Sequence, residues 1–134
     1  MASKSETVFY TGVHKHLPPS LYRMKTFNPY LGGPWDFWFS GQDDDLWVEY
    51  KWVILPKRDS TKVDVTLSKL QVEWGDGRIK EGRYLAVIVG CKEGGVILEN
   101  KDWLKPLSCL QFKKQIRSRA EIALWITNAT GGPP

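Results

Sequence analysis

The alternation of apolar and polar residues along the chain predicts five β-strands, because side chains in an extended chain point to opposite faces at every second residue. The apolar runs are separated by segments rich in Gly, Pro and Asp, such as NPYLGGP, SGQDDD and KEGG, which are typical of turns. One run, YLAVIVGC, has no polar interruption and is typical of a buried central strand. The predicted strands span residues 20–28, 35–39, 46–55, 83–91 and 96–100.

Helical spacing and capping residues predict three helices. The first carries Glu6 in its first turn, where the helix dipole favours a negative charge. The second starts at Thr66 or Ser68, and glycines within it leave its end uncertain. A capping box formed by Ser118 and Glu121 opens the third. The predicted helices span residues 4–16, from 66 or 68 to about 82, and 120–129.

This order of elements predicts a single α/β domain with a mixed central β-sheet flanked by helices. With 134 residues, the chain is long enough to bury one core. We expect the domain to span residues 1–130 and the tail, residues 131–134, to be disordered. The polar segment 56–65 is predicted to be a mobile loop.

Composition narrows the class of protein. A hydrophobic content of 42% with 25% charged residues excludes general disorder, and a net charge of +4 permits nucleic-acid binding without requiring it. Cys91 and Cys109 are too few for a disulfide framework or a zinc finger, and each is predicted to be buried. The chain has no apolar run of about 18 residues and MASKSE lacks an apolar signal core, so we expect a cytoplasmic protein without a membrane span.

Two ionisable residues interrupt the apolar strand LWVEYKWV, residues 46–53. Glu49 and Lys51 project from the same face of this strand, and hairpin geometry brings Asp36 of the preceding strand close to Glu49. Two carboxylates suit Mg²⁺, and a nearby lysine can orient or help to deprotonate a water and stabilise charge on a phosphate. The set predicts phosphodiester hydrolysis. The alternative is a surface hairpin with an ion pair of little value to stability.

These motifs resemble the PD-(D/E)XK nuclease superfamily, and specifically small phage-type relatives of its VRR-Nuc and Holliday-junction-resolvase branches. The family pattern is an acidic residue in the first helix, then Pro-Asp, a hairpin and Glu-x-Lys; Glu6, Asp36 and residues 49–51 take these places. One departure is that Trp35 stands between Pro34 and the aspartate. TLSKLQVEWGDGRIKEG resembles the family helix whose Gln lies near the active site, and YLAVIVGCKEGGVIL resembles its closing strand–turn–strand.

The resemblance implies a restriction-endonuclease-like αβββαβ core and a DNA endonuclease that depends on Mg²⁺, with Mn²⁺ as a second choice. Because so small a domain has a short footprint, cutting both DNA strands predicts a homodimer or a higher homo-oligomer. The preferred substrate stays open between a four-way junction, a flap and a specific duplex site. The implied metal ligands are Asp36, Glu49 and the backbone carbonyl of Tyr50, and the implied catalytic residues are Asp36, Glu49, Lys51, Gln71 and Glu6.

Two other classes of function remain open: a non-catalytic DNA-binding module on a nuclease-like scaffold, and an assembly protein with a Trp-rich interaction face. The basic segment 113–119 is either a surface that tracks phosphates or a solvated face. His14 and His16 are predicted to be surface residues, because positions i and i+2 do not face each other on a helix. Four tryptophans are expected to serve the core or a subunit interface rather than to stack on bases: Trp35, Trp38, Trp47 and Trp52.

Overall fold

The computed structural model describes residues 3–26 and 32–134, and its centre is a mixed five-stranded sheet with helices on both faces. The strand order is β1-β2-β3-β5-β6, in which only β3 and β5 are parallel. The α/β prediction is therefore confirmed. The strands are β1 (Tyr22–Lys25), β2 (Phe37–Ser40), β3 (Asp45–Trp52), β4 (Lys62–Val63), β5 (Tyr84–Cys91), β6 (Gly94–Leu98) and β7 (Leu107–Ser108).

Three of the four α-helices in the described part of the chain were predicted, with shifts of one or two residues at most ends. Ser68, rather than Thr66, caps the second helix, and the capping box of Ser118 and Glu121 opens the last one. The first helix ends two residues earlier than predicted, before the turn that leads to the two prolines. The helices are α1 (Lys4–His14), α2 (Lys69–Lys80), α3 (Cys109–Lys113) and α4 (Arg119–Thr130).

The two faces of the sheet bury separate hydrophobic cores. One core lies under α1 and α4 and includes Val48 and Tyr50 of β3; the other lies on the α2 side and includes Val87 and Val89 of β5. Helix α1 approaches β5 so closely that a Cβ added to Gly90 would come within 2.5 Å of the Phe9 ring. This contact fixes α1, which carries Glu6, over the sheet.

The bounds of the first three strands differ from the prediction. The segment predicted as residues 20–28 forms only β1, and its predicted end at 27–28 lies outside the described residues. The segment predicted to start at Trp35 starts at Phe37, because Trp35 turns away to become fully buried and to bond to α2. β3 ends at Trp52 rather than at residue 55.

A small second sheet, β4 with β7, ties down a region predicted to be a loop. The prediction of a mobile loop over 56–65 is corrected by this pairing and by a 2.8 Å hydrogen bond from the Cys109 N–H to the Thr61 carbonyl. Residues 101–113, for which the sequence predicted no element, contain a 3₁₀-helix (Asp102–Leu104) as well as β7 and α3. Cys91 and Cys109 are free and buried.

The C-terminal residues lie against the turn between β2 and β3, whereas the sequence predicts a disordered tail over 131–134. The carbonyl of Gly132 accepts a 2.9 Å hydrogen bond from the Gln42 N–H. The carbonyl of Pro133 accepts one of 2.8 Å from the Gln42 side chain. In the described part of the chain, no helix combines the length and the apolarity needed to cross a membrane.

Candidate active site

The β2–β3 hairpin places two acidic side chains beside each other at one end of the sheet. Phe37 lies opposite Val48, so Asp36, one residue before β2, comes level with Glu49 on the same face. Asp36 is held there by the Tyr50 N–H, which donates a 3.1 Å hydrogen bond to its Oδ2. Glu49 is only 3% exposed. The hairpin therefore brings together the two carboxylates that were predicted to converge.

Glu49, Lys51 and Gln71 form a closed polar triangle. Glu49 Oε2 accepts a 3.0 Å hydrogen bond from Gln71 Nε2 and lies 3.5 Å from Lys51 Nζ. Lys51 Nζ donates a 3.2 Å hydrogen bond to Gln71 Oε1. Glu49 Oε1 is buried, and no residue of the described chain gives it a hydrogen bond. One carboxylate oxygen of the triangle is thus left for a group from outside the chain.

The N-terminus of α2 holds Gln71 in place. Its side-chain carbonyl accepts a 2.9 Å hydrogen bond from the Ser68 N–H, and the Ser68 hydroxyl accepts one of 3.1 Å from the Gln71 N–H. The backbone carbonyl of Gln71 accepts a 3.0 Å hydrogen bond from the Trp35 indole. The residue that departs from the family pattern therefore anchors the helix that carries Gln71.

Burial and mutual repulsion keep the carboxyl groups of this site from ionising easily. Burial raises the pKa of Glu49 to about 8; the Asp36 charge adds to this effect, and Lys51 opposes it. Burial also raises the pKa of Asp36. The pKa of Glu6 is raised by burial and then by the Asp36 charge, which shows that α1 brings Glu6 into the same electrostatic environment. Three carboxyl groups thus share this site, and Lys25 and Lys51 offset only part of the negative charge that they carry when ionised, which favours a bound cation.

The donor set suits a hard divalent cation held in part by water or substrate. In residues 3–26 and 32–134, no three His, Cys, Asp or Glu side chains are grouped closely enough to hold a metal ion by themselves. Mg²⁺ needs only one or two carboxylates when water and phosphate oxygens complete its shell. Asp36 and Glu49 provide the two, and the unpartnered Glu49 oxygen fits this role. The N–H and C=O of a strand residue point to the same side, so the Tyr50 carbonyl is directed toward the Asp36 side.

His14 lies behind the site, and sequence reasoning missed its position. Its Nε2 is 2.8 Å from the Tyr50 hydroxyl, and its ring packs edge-on against Phe37 and Phe39. Burial lowers the pKa of His14 to about 4, so the ring is neutral at pH 7. The predicted surface position is therefore wrong for His14. Its i, i+4 spacing from Tyr10, a buried residue, could have indicated an inward-facing side chain.

The four tryptophans singled out in the sequence have different surroundings. Trp35 and Trp52 serve the cores on opposite faces of the sheet. Trp47 packs against Trp74 of α2 but is only partly buried. Trp38 belongs to neither core. Trp38 and Trp47 lie opposite each other on the face that carries Glu49.

The basic segment 113–119 lies beside the turn between β5 and β6. Arg117 forms an isolated bridge with Gly95, and Lys113 pairs with Asp59 at 3.0 Å. Lys114 and Arg117 are exposed. The Arg119 guanidinium lies over the Phe9 ring and is partly buried. The segment is therefore divided between internal contacts and two solvent-facing cations.

Comparison with known proteins identifies the fold. The structure is similar to that of Hjc, a Holliday junction resolvase from the archaeal hyperthermophile Archaeoglobus fulgidus, with a TM-score of 0.55 over 92% of this chain and 99% of that one, at 14% sequence identity. No protein-family model matches the chain. No curated protein matches it significantly by sequence. The resolvase-like nuclease fold implied by the sequence motifs is therefore confirmed at the level of architecture.

Proposed function

We propose that this protein is a divalent-metal-dependent endonuclease that hydrolyses phosphodiester bonds in branched DNA, with a four-way junction as its first candidate substrate. The observation that carries the proposal is the pair of buried Glu49 and partly buried Asp36, with one Glu49 oxygen that has no partner in the described chain, next to Lys51. A buried carboxylate pair with so little compensation is costly to the fold. Such a cost is typical of functional sites. The architecture shared with a junction resolvase supports DNA as the substrate class.

Each residue has a distinct part in the proposed reaction. Asp36 and Glu49 would hold Mg²⁺ together with the Tyr50 carbonyl, and the ion would supply Lewis-acid stabilisation of negative charge on the phosphate. Lys51 would position the attacking water and stabilise the developing charge. Gln71 fixes the orientation of Glu49 and Lys51 through its two hydrogen bonds.

Glu6 has an outer role in this proposal. It is partly buried on α1, close enough to Asp36 for their charges to interact. Its carboxylate can therefore bind a water of the metal shell or a second cation rather than complete the first set of ligands. A dimer with two such sites would cut two strands of a junction, and we include a homodimer in the proposal.

The test is cleavage of a supercoiled plasmid and of a synthetic four-way junction, in Mg²⁺ and in EDTA. We expect cleavage only with Mg²⁺ and faster on the junction. Lys51→Ala and Asp36→Asn should each slow cleavage at least about 100-fold, the usual contribution of such groups. The matched control is Lys105→Ala, which removes an exposed lysine that also pairs with a carboxylate, Asp102, at 3.0 Å. It should leave the rate unchanged.

The competing function is a DNA-binding module without catalysis, which the lack of a three-residue metal cluster in the described chain would favour. A binding module of this kind would bind the junction equally well in EDTA and in Mg²⁺, and it would not cut DNA with Mg²⁺ or with Mn²⁺. Binding without cleavage in both Mg²⁺ and Mn²⁺ would replace the nuclease proposal. Glu49 and Lys51 would then be a structural ion pair.

A further inference from the structure

Beside the carboxylates lies a row of aromatic and apolar side chains that begins at the edge of the α2-side core, with Trp47, and runs out to the edge strand β1. Trp47 and Trp38 face each other across β3 and β2, and Met24 of β1 lies opposite Trp38. Tyr22, two residues from Met24 on the same face, contacts the Trp38 ring edge-on with 5.6 Å between centroids. We name this row the aromatic stripe.

The stripe faces the same side of the sheet as the proposed active site. Trp47 and Glu49 are two residues apart on β3, and so are Trp38 and Asp36 on the neighbouring chain segment. Two residues of an extended strand span about 7 Å, and alternate side chains share a face. A single nucleotide can bridge this distance between the carboxylates and the stripe.

The outer end of the stripe is open to solvent. Tyr22 is 57% exposed and Met24 is 43% exposed, although both are large apolar side chains on the edge strand. Trp38 is partly exposed, and its ring contacts the Tyr22 and Trp47 rings on either side. Proteins that bind single-stranded nucleic acid use exposed aromatic side chains as platforms for base stacking, and this stacking does not depend on the base sequence.

Charge and area favour bases over a second copy of this chain. Lys51 lies at the catalytic end of the face, while the acidic turn at 43–45 lies beyond the other end. Phosphates are therefore attracted at one end only, and the stripe has room for one or two bases. A stable protein–protein interface buries about 800 Å² per partner. The four side chains of the stripe could bury only a fraction of this area on binding.

From this arrangement we infer that the aromatic stripe binds unpaired nucleobases next to the phosphodiester that is cut. The inference rests on the proposed nuclease function and deepens it. The enzyme would prefer DNA in which bases beside the cleavage point are unpaired, as at flaps, overhangs and open junction centres. Trp38 is the central contact, because it joins Trp47 to Tyr22.

The test measures binding in EDTA, where no cleavage can interfere. The probes are a fluorescently labelled DNA duplex with a single-stranded oligothymidine overhang and a blunt duplex of the same length, each followed by fluorescence anisotropy. We expect wild-type protein to bind the overhang duplex more tightly. Trp38→Ala should weaken that binding roughly 5- to 100-fold, the value of one stacked base, and should change blunt-duplex binding less than twofold.

Two controls separate stacking from folding and from self-association. Trp38→Phe keeps an aromatic ring and should retain most of the preference. Leu124→Ala removes an exposed large side chain, 61% accessible, from α4 on the other side of the sheet and should change nothing. Sedimentation of each variant gives its oligomeric state, and circular dichroism shows that it is folded.

The remaining outcomes overturn the inference. Equal binding of both probes by the wild type, or equal weakening of both by Trp38→Ala, would exclude base stacking. A change from dimer to monomer in Trp38→Ala would assign the stripe to self-association. Cleavage in Mg²⁺ without any preference for overhangs would remove the inference and leave the nuclease proposal in place. A preference for overhangs without cleavage would remove the nuclease proposal and leave the stripe as a binding site for unpaired bases.

Discussion

The Glu49 side chain combines deep burial with an incomplete set of hydrogen-bond partners in the described chain. It is buried among hydrophobic strands, one oxygen is bound by Gln71 and Lys51, and the other has no partner in the described chain. The charged form is disfavoured by burial and by Asp36, so the carboxyl group holds its proton far above its usual range. Metal-free protein therefore gains a proton at this site as it folds.

This proton makes stability depend on pH. The pKa of Glu49 is raised from 4.5 to about 8. The proton bound to Glu49 therefore contributes fully to the free energy of unfolding below pH 4.5, and this contribution is lost as the pH rises to about 8. We expect the free energy of unfolding of metal-free protein to fall across this window by up to about 1.4 kcal/mol per pH unit. Urea unfolding in EDTA at a series of pH values measures it.

The substitution Glu49→Gln should flatten this pH dependence, while Glu73→Gln, at an exposed position on α2, should leave it intact. Adding Mg²⁺ at pH 8 should restore stability to the wild type, because a ligand that binds only the folded state stabilises it. An unchanged slope in Glu49→Gln would place the responsible group elsewhere. The raised pKa of Asp36 and that of Glu6 act in the same direction.

At the scale of elements, the capping box of α2 both caps the helix and places Gln71 against Glu49 and Lys51. The chain contains a second box that only caps a helix and so serves as a control. Ser68 with Gln71 and Ser108 with Gln111 form the same box, on α2 and α3 respectively. Only Gln71 also reaches Glu49 and Lys51. We expect Gln71→Ala and Gln111→Ala each to destabilise the fold by about 1 kcal/mol.

Cleavage should distinguish these two variants. Gln71→Ala leaves Glu49 and Lys51 without their shared amide, so we expect its cleavage rate to fall roughly 10-fold or more, in the range of a lost positioning contact. Gln111→Ala should cut DNA at the wild-type rate. Thermal unfolding and single-turnover cleavage of both variants measure the two effects. Equal rates would mean that Gln71 acts only as a helix cap.

The contact between α1 and β5 sets the position of the helix that carries Glu6. A Cβ on Gly90 would lie 2.5 Å from the Phe9 ring, so Gly90→Ala must push α1 outward. We expect a loss of about 1–3 kcal/mol, as for other overpacked cores. Gly77→Ala on α2 is the control: nothing lies within 4 Å of its Cβ, and it should stabilise the helix by about 0.5–1 kcal/mol. Chemical denaturation compares them, and equal shifts would contradict the packing argument.

Local patterns predicted the sheet, three helices and the converging carboxylates, because periodicity, caps and hairpin spacing are written over short stretches. They could not predict contacts made across long separations. Family resemblance implied only that Gln71 lies near the active site, and its hydrogen bond to Glu49 depends on where α2 docks on the sheet. β4 and β7 are two residues each and have no periodicity to detect; they exist because residues 62–63 meet 107–108.

At the scale of the whole molecule, two exposed cations, Lys114 and Arg117, lie toward the end of the sheet where the site is. Trp52 at the end of β3 lies opposite Gly90 of β5. Gly90 pairs with Gly95 of β6, and Gly95 bridges to Arg117. We expect Lys114→Gln with Arg117→Gln to reduce the slope of log Kd against log salt by about 2, since each phosphate contact contributes about 0.9. Anisotropy titrations of duplex DNA over a range of salt concentrations give the slope.

The control for this pair is Lys80→Gln with Arg83→Gln. These residues are exposed just before β5 begins, at the opposite end of the sheet, and removing them changes the net charge equally. Their double variant should keep the wild-type slope. If both pairs lowered the slope alike, the effect would belong to overall charge rather than to a phosphate-binding surface.

The parallel pairing of β3 with β5 also predicts an order of steps in folding. Asp36 and Glu49 meet through a local hairpin, and such hairpins form in roughly 1–10 μs. β3 meets β5 only after a crossover of about thirty residues that includes α2, and non-local pairings of this kind are slow. We therefore expect the refolding chain to bring the two carboxylates together before Gln71 docks beside them. Stopped-flow refolding should be faster in mild acid, where these groups are protonated, than at pH 8 without metal.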